Sequence, residues 1–312
     1  MEALLSMSFD NLSSYDQVRI RKGLRQVEGL LAQICLSSSS SAAEKRRSVI
    51  DPGKEPPPRK ALSELGSDPA FREFFKLQDG FEWNVAMRLV NCLDRLLGKS
   101  HDGQNDLLII QTLDLVQGSL LLHPPSRTLF SRELYMNVGT PHRQGELVVV
   151  DCILIYHLRQ HLLDLLEPIN CPAIQSKTII TLACALIETP QNTRTFENLD
   201  GLLTITSLFK SRETSREVKL KLVEFLYFYL MPETPSIPSA NSNASVPSML
   251  QRSPSKLAGA FNGREGRKRA ESEGVITRST EEKQGLLGNY LSSVDDLVAD
   301  LRESTPFGGA LS

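Results

Sequence analysis

The feature that most constrains the fold is a helical periodicity that extends over residues 68–230. Apolar residues recur there three or four positions apart, as Val85, Leu89 and Leu93 do, which places them on one face of an α-helix. Prolines stand between the periodic segments, where they start or stop helices. The sequence therefore predicts an all-α protein, with helices over residues 69–77, 84–97, 106–122, 126–134, 146–166, 172–188, 190–199 and 215–230.

Two parts of this region resemble each other. Residues 69–81 and 190–202 each combine a short helix that begins with proline, an Asp-Gly turn and the start of a longer apolar helix. Residues 125–134 resemble a degraded third copy. This spacing favours an armadillo- or HEAT-like helical array, in which short helical units stack on one another. The alternative is the ordinary pattern of helix junctions in an all-α domain.

Changes in composition predict the domain boundaries. A first helix is expected over residues 14–34, with a capping box formed by Ser14 and Gln17. Polar, serine-rich and proline-rich segments cannot bury enough surface to fold alone. We expect an N-terminal helix of the helical domain (1–36), a disordered Ser/Pro-rich loop (37–62), the main armadillo-like helical domain (63–231), a disordered basic linker (232–283), a C-terminal amphipathic helix (284–304) and a tail (305–312).

Composition excludes several classes of protein. Lys and Arg number 35 and Asp and Glu 37, so the net charge of −2 offers no bulk attraction to nucleic acid or to an anionic membrane. No apolar run reaches the roughly 18 residues that a spanning helix needs, and the N-terminus lacks the pattern of a signal peptide. The five cysteines are odd in number and scattered, which is typical of reduced thiols. We therefore expect a cytoplasmic protein.

Motifs of catalysis and cofactor binding are missing from the sequence. It contains no GxGxxG, GxxxxGK[ST], HExxH or CxxC pattern, and no kinase motif. His157 and His161 form a helical i,i+4 pair, but no carboxylate lies between them to act as a base. Cys152 is followed by Arg159 one residue too late for a phosphatase loop, and in a helical pattern. The sequence therefore predicts a protein that is not an enzyme and binds no metal or cofactor.

The C-terminal region separates its charges. Residues 252–278 carry seven basic and three acidic side chains, and residues 281–303 carry two basic and six acidic ones. Arginines at −5 and −3 from Ser272 suit a basophilic kinase, and the Ser253-Pro254 dipeptide suits a proline-directed one. Both serines are candidate phosphorylation sites, because a phosphate there would cancel basic charge locally.

Three segments carry a resemblance to a known family. They are residues 68–86 (DPAFREFFKLQDGFEWNVA), residues 192–202, and the tail from Glu281 through Tyr290 and Leu301 to Gly308. Together they resemble the fungal cell division control protein 14 family, a component of the septation initiation network. This family is unrelated to the dual-specificity phosphatase that shares its name.

The resemblance implies a function without catalysis. It implies an armadillo-like regulatory adaptor that binds a germinal-centre-class (Ste20-related) protein kinase and supports its activity and localisation at the spindle pole body, promoting septum formation and cytokinesis. Other septation network components are possible further partners. The alternative is a structural scaffold at the spindle pole body that does not activate the kinase directly.

Two groups of residues are candidates for the partner interface. The first is an aromatic cluster at a helix junction, because aromatic side chains are favoured at interface hot spots; its members are Phe71, Phe75, Phe81 and Trp83. Packing in the core is the competing interpretation for them. The second group is the apolar face of the C-terminal helix, which includes Tyr290 and Leu297. That helix either caps the chain's own helical body or docks on a partner.

Overall fold

The computed structural model describes residues 1–36, 60–98, 103–130, 162–233 and 277–304. Regular secondary structure within these ranges is helical, which confirms the predicted all-α fold. The helices are α1 (Glu2–Leu12), α2 (Gln17–Cys35), α3 (Leu62–Leu65), α4 (Pro69–Gln78), α5 (Val85–Leu97), α6 (Asp106–Leu122), a 3₁₀ helix (Pro124–Phe130), α7 (Pro172–Leu186), α8 (Pro190–Asn198), α9 (Gly201–Lys210), α10 (Arg216–Leu230), α11 (Thr280–Gly288) and α12 (Val294–Ser304).

Local signals explain where several helices begin. Asp68 caps α4 by accepting a hydrogen bond from the amide of Ala70 at 2.8 Å, and proline occupies the first turn of α4, α7 and α8. Asn84 caps α5 through the amide of Met87 at 2.9 Å. Such caps satisfy amides that have no acceptor within the helix. The starts predicted for these helices therefore agree with the structure.

The N-terminal region differs from the prediction in three ways. Residues 2–12 form α1, which the sequence analysis missed because neither a side-chain cap nor a proline marks its start. Asp16, not Ser14, caps α2, since its carboxylate accepts from the amide of Val18. Lys60 lies at the end of the expected disordered loop, yet its amide bonds to the carbonyl of Cys35 at 2.9 Å. That bond holds the described end of the loop against α2.

Two further predictions differ from the structure or fall outside its described part. The single C-terminal helix expected over residues 284–304 is two helices, α11 and α12, separated by a turn. Helix α9 was given no bounds by the periodicity, although the Asp200-Gly201 turn of the internal resemblance predicted that a helix starts there. Most of the helix predicted over 146–166 and the end of that over 126–134 lie outside the described residues, and the rest of the latter is the 3₁₀ helix.

The helices pack mainly as successive pairs around one apolar core. Helix α1 packs on α2, α5 on α6, α6 on α7, and α7 on α10. Close approach is possible between α1 and α2 because Gly23 faces the backbone of the first helix: a Cβ at Gly23 would lie 2.9 Å from the amide nitrogen of Leu12. This arrangement brings distant parts of the chain together. The armadillo- or HEAT-like array stays a prediction.

Candidate functional site

The described residues do not assemble a metal site. No group of three or more His, Cys, Asp or Glu side chains in these ranges could hold a metal ion. Burial raises the pKa of the thiols of Cys35 and Cys184, which keeps both protonated and weakly nucleophilic near neutral pH. The remaining candidates from the sequence, Cys152, His157 and His161, lie outside the described residues.

Phe71 and Phe75 pack inward from α4. Their ring centroids are 5.9 Å apart, and the Phe75 ring meets the imidazole of His123 edge-on at 4.5 Å. Phe71 is partly buried against the core and Phe75 is half-buried, on either side of the fully buried Phe74. Phe71 and Phe75 therefore contribute to packing between α4 and the end of α6.

The other two aromatic candidates differ in their exposure. Trp83 is partly buried and stacks on Phe9 of α1 at a centroid distance of 6.4 Å, while the guanidinium of Arg88 lies 5.5 Å from the Phe9 ring centroid. Phe81 is 51% exposed and is the most accessible member of the cluster. The structure thus does not place the four rings on one open surface, and Phe81 is the member best placed to reach a partner.

A polar network, buried except for the side chain of Asp79, lies next to this aromatic cluster. The side chain of Asn84 donates to the carbonyl of Gln78 at 2.7 Å and to the hydroxyl of Ser126 at 2.9 Å. Ser126 in turn contacts Nδ1 of His123 at 2.8 Å, and Nε2 of His123 contacts a carboxylate oxygen of Asp79 at 3.1 Å. Because that carboxylate only accepts, the neutral imidazole donates from Nε2 and accepts the Ser126 hydroxyl proton at Nδ1.

This network contains a serine, a histidine and an aspartate, as a catalytic triad does, but their contacts differ from those of a triad. In a hydrolase triad the serine bonds Nε2 and the aspartate bonds Nδ1, whereas Ser126 bonds Nδ1 and Asp79 bonds Nε2. The residues Ser126 and His123 are also buried, and the serine oxygen accepts from Asn84. Burial lowers the pKa of His123, with Asp79 opposing the shift. These hydrogen bonds link the ends of α4 and α6 to the starts of α5 and the 3₁₀ helix.

The C-terminal segment packs against the chain's own helical body. Helices α11 and α12 both contact α10. Tyr290 and Leu297 are partly buried against the core, and the ammonium of Lys210 donates to the carbonyl of Tyr290. The apolar side chains that line this contact from the C-terminal segment are buried; they are Leu287, Leu291, Val294 and Val298.

A cluster of ionised side chains, hereafter the C-terminal ion cluster, fastens this segment. Its first half is centred on Glu197 of α8, whose carboxylate accepts from Arg194 at 2.8 Å, from the hydroxyl of Tyr229 at 2.8 Å and from Arg278. Burial, followed by the neighbouring carboxylate of Glu197, raises the pKa of Tyr229, so this hydroxyl stays protonated and donates.

The second half of the C-terminal ion cluster is centred on Glu233. Its carboxylate accepts from Arg194, from the backbone amide of Arg278 at 3.0 Å and from the ammonium of Lys283 at 3.2 Å. Lys283 is buried, donates to the carbonyl of Met231 at 2.8 Å and has a pKa lowered chiefly by that burial. The sequence analysis missed this cluster because its members come from chain segments far apart in sequence.

The tail serines have no described position. Ser253 and Ser272 both lie outside the described residues. Among the residues that the structure does describe, none belongs to a helix with the length and apolar character needed to cross a lipid bilayer. The structure thus defines an all-α protein in which two polar groupings, the Ser126–His123–Asp79 contacts and the C-terminal ion cluster, join separate helices.

The comparisons with known proteins specify the family. The sequence profile of cell division control protein 14, a component of the septation initiation network (SIN), matches residues 1–139 and 156–307. The chain belongs to this family, which confirms the resemblance seen in the sequence. Cell division control protein 14 of Schizosaccharomyces pombe (strain 972 / ATCC 24843) is 26% identical over 317 residues, covering 99% of this chain and 97% of the relative. No solved structure is significantly similar to the chain.

Proposed function

We propose that this protein is a non-catalytic regulatory adaptor that binds a germinal-centre-class (Ste20-related) protein kinase. In this role it supports the activity and localisation of the kinase in the septation initiation network, at the spindle pole body, and so promotes septum formation and cytokinesis. The observation that carries the proposal is the match to a family of SIN components over nearly the whole chain. A relative of nearly equal length aligns with 99% of this chain.

The chemistry of the described residues supports an adaptor over an enzyme. The Ser126–His123–Asp79 grouping in the described part of the chain has a buried serine and a buried histidine, and its contacts are inverted relative to a hydrolase triad. The thiols of Cys35 and Cys184 have raised pKa values, the opposite of what a phosphatase nucleophile requires. Packed helices instead offer extended faces for a partner protein.

The first experiment is co-expression of the full chain with a candidate germinal-centre-class kinase. Size-exclusion chromatography with light scattering reports the complex, and a kinase assay reports its activity. We expect a stoichiometric complex with raised kinase activity. Co-elution without a change in activity would favour the scaffold at the spindle pole body. Separate elution at micromolar concentrations of both proteins would contradict direct binding.

The predicted aromatic interface has its own test in the same assay. Phe81→Ser removes the most exposed ring of the cluster, and Leu203→Ser is the matched control because Leu203 is a similarly exposed apolar residue on α9. If the cluster forms part of the interface, only Phe81→Ser weakens kinase binding. Equal binding by both variants would leave packing as the role of these aromatic residues.

A further inference from the structure

The solvent-facing side of α2 carries an unusual concentration of positive charge. All four cations of its N-terminal half are exposed, in a chain whose net charge is −2. None of them makes an ion pair or a side-chain hydrogen bond with the described part of the chain; they are Arg19, Arg21, Lys22 and Arg25. The cations that the body uses for structure are paired, as Arg194 is. The charge on α2 is therefore available to a ligand.

The geometry of the helix aligns two of these cations, Lys22 and Arg25, with Val18, while Arg19 and Arg21 lie on the two flanks of that line. Val18, Lys22 and Arg25 follow the i, i+4, i+7 spacing that places side chains along one line of a helix. The buried side chains of α2, such as Ile20 and Val27, occupy the opposite side. From Val18 to Arg25 the line extends about 10 Å, or two helical turns. We call the outward surface of residues 18–25 the α2 outer face.

Apolar side chains lie at the N-terminal end of the α2 outer face. Tyr15 and Val18 are both 73% exposed. The side chain of Gln17 donates to that of Asn105 at 2.9 Å, which brings the starts of α2 and α6 together. Leu107, 69% exposed, belongs to the first turn of α6. Exposed apolar side chains grouped beside charge are typical of a protein-binding surface.

We propose that the α2 outer face docks an acidic, amphipathic segment of a partner protein. An apolar side chain of that segment would pack near Val18 and Leu107, and its carboxylates would follow Arg21, Lys22 and Arg25. Charge complementarity supports this occupant, because guanidinium groups bind carboxylates through two parallel hydrogen bonds. Two helical turns match a short peptide segment, whereas the net negative charge of the whole chain opposes a polynucleotide or an anionic membrane.

The inference rests on the proposed function for its partner, the kinase, and the test uses the full chain. Arg21→Glu/Arg25→Glu reverses two charges on the α2 outer face. The matched control, Arg212→Glu/Arg216→Glu, makes the same change at exposed arginines near the start of α10. Val18→Ser removes the apolar contact alone. Kinase binding is measured at several salt concentrations, and circular dichroism verifies that each variant is folded.

Three results support the docking surface together. The double variant on α2 raises the dissociation constant about tenfold and flattens its salt dependence, since charge complementarity across an interface is screened by salt. Val18→Ser weakens binding without changing the salt dependence. The control variant binds as the unmodified chain does.

Other results would contradict the proposed docking surface. Equal binding by the two double variants would refute this surface and leave the adaptor function standing, whereas no binding by the unmodified chain would refute both. Phosphatidylserine vesicles and a polynucleotide are tested in parallel with the same variants. If either is bound through Arg21 and Arg25 while kinase binding is unaffected, the surface serves lipid or nucleic acid and the proposal is wrong.

Discussion

Glu233 and Arg278 are joined by two hydrogen bonds across a separation of 45 residues. The amide of Glu233 donates to the carbonyl of Arg278 at 3.0 Å, and the amide of Arg278 donates to the carboxylate of Glu233 at 3.0 Å. The chain between them therefore leaves and rejoins the helical body at one point. Ser253 and Ser272 belong to that intervening chain, so the basic linker expected from the sequence is held at both ends.

The C-terminal ion cluster gives a prediction about stability. Glu233→Ala leaves the buried ammonium of Lys283 without its carboxylate, and removing one member of a buried pair costs about 3 kcal/mol of unfolding free energy. Chemical denaturation measures the loss. The matched control is Glu224→Ala, which removes one negative charge from an exposed pair with Lys221 and costs about 0.5 kcal/mol or less. Equal losses would mean that the cluster does not fasten the C-terminal segment.

Deletion of residues 281–312 distinguishes a cap from a partner-docking helix. The deletion uncovers the α10 surface against which Leu287 and Leu291 are buried. We expect a lower thermal midpoint and increased binding of a hydrophobic dye, with kinase binding unchanged. Deletion of residues 305–312 alone is the control and leaves the midpoint unchanged. Loss of kinase binding at an unchanged thermal midpoint would instead assign the segment to the partner interface.

Local signals made part of this fold predictable. Asp68 followed by Pro69, and Asn84 before an apolar period, each bring a cap and a pattern together within a few residues. The start of α9 has a weaker signal, the Asp200-Gly201 turn, because Asp200 makes no capping hydrogen bond and adopts a left-handed conformation at φ 57°. Proline in the first turn located α7 and α8, which also lack a side-chain cap, whereas α9 has neither signal.

Tertiary contacts made the rest unpredictable. The apolar spacing of residues 286–301 fits one helix, yet the structure has a turn between Gly288 and Val294. A turn leaves Leu287, Leu291 and Val294 buried together, so periodicity could not reveal it. The ion cluster and the Ser126–His123–Asp79 contacts join separate helices, and no local pattern identifies such pairs. For the same reason the sequence left both core packing and the partner interface open for Phe71 and Phe75.

Gly201 is expected to be intolerant of any side chain. A Cβ there would lie 2.3 Å from Cε2 of Phe196 and 2.6 Å from its carbonyl oxygen, and the ring is held by Phe225 at a centroid distance of 5.6 Å. Gly201→Ala should therefore lower the free energy of unfolding by about 2 kcal/mol. Gly118→Ala is the control, since nothing lies within 4 Å of its Cβ. Alanine there should raise stability by about 0.5 kcal/mol; a gain from both substitutions would contradict the close approach.

His123 gives the expected pH dependence. Burial lowers its pKa, although the hydrogen bond and charge of Asp79 oppose the shift. The folded chain then binds fewer protons at this position than the unfolded chain, whose histidine pKa is about 6.5. The contribution of the neutral His123 to the free energy of unfolding should therefore be fully present above that value and be lost as the pH falls below it. NMR titration of the imidazole should give a midpoint below that of a histidine in an unfolded peptide.

His123→Asn provides the matched variant for this pH dependence. It removes the titrating group but keeps a polar side chain that can bond Ser126, so the variant starts from lower stability and loses less of it between pH 7.5 and pH 5.5. Urea denaturation across that range gives both slopes. The difference between them isolates His123 from carboxylates, which titrate at lower pH. Identical slopes would contradict the prediction by showing that burial and the Asp79 carboxylate cancel and leave the His123 pKa unshifted. An imidazole midpoint above that of the unfolded peptide would show that the Asp79 carboxylate outweighs burial.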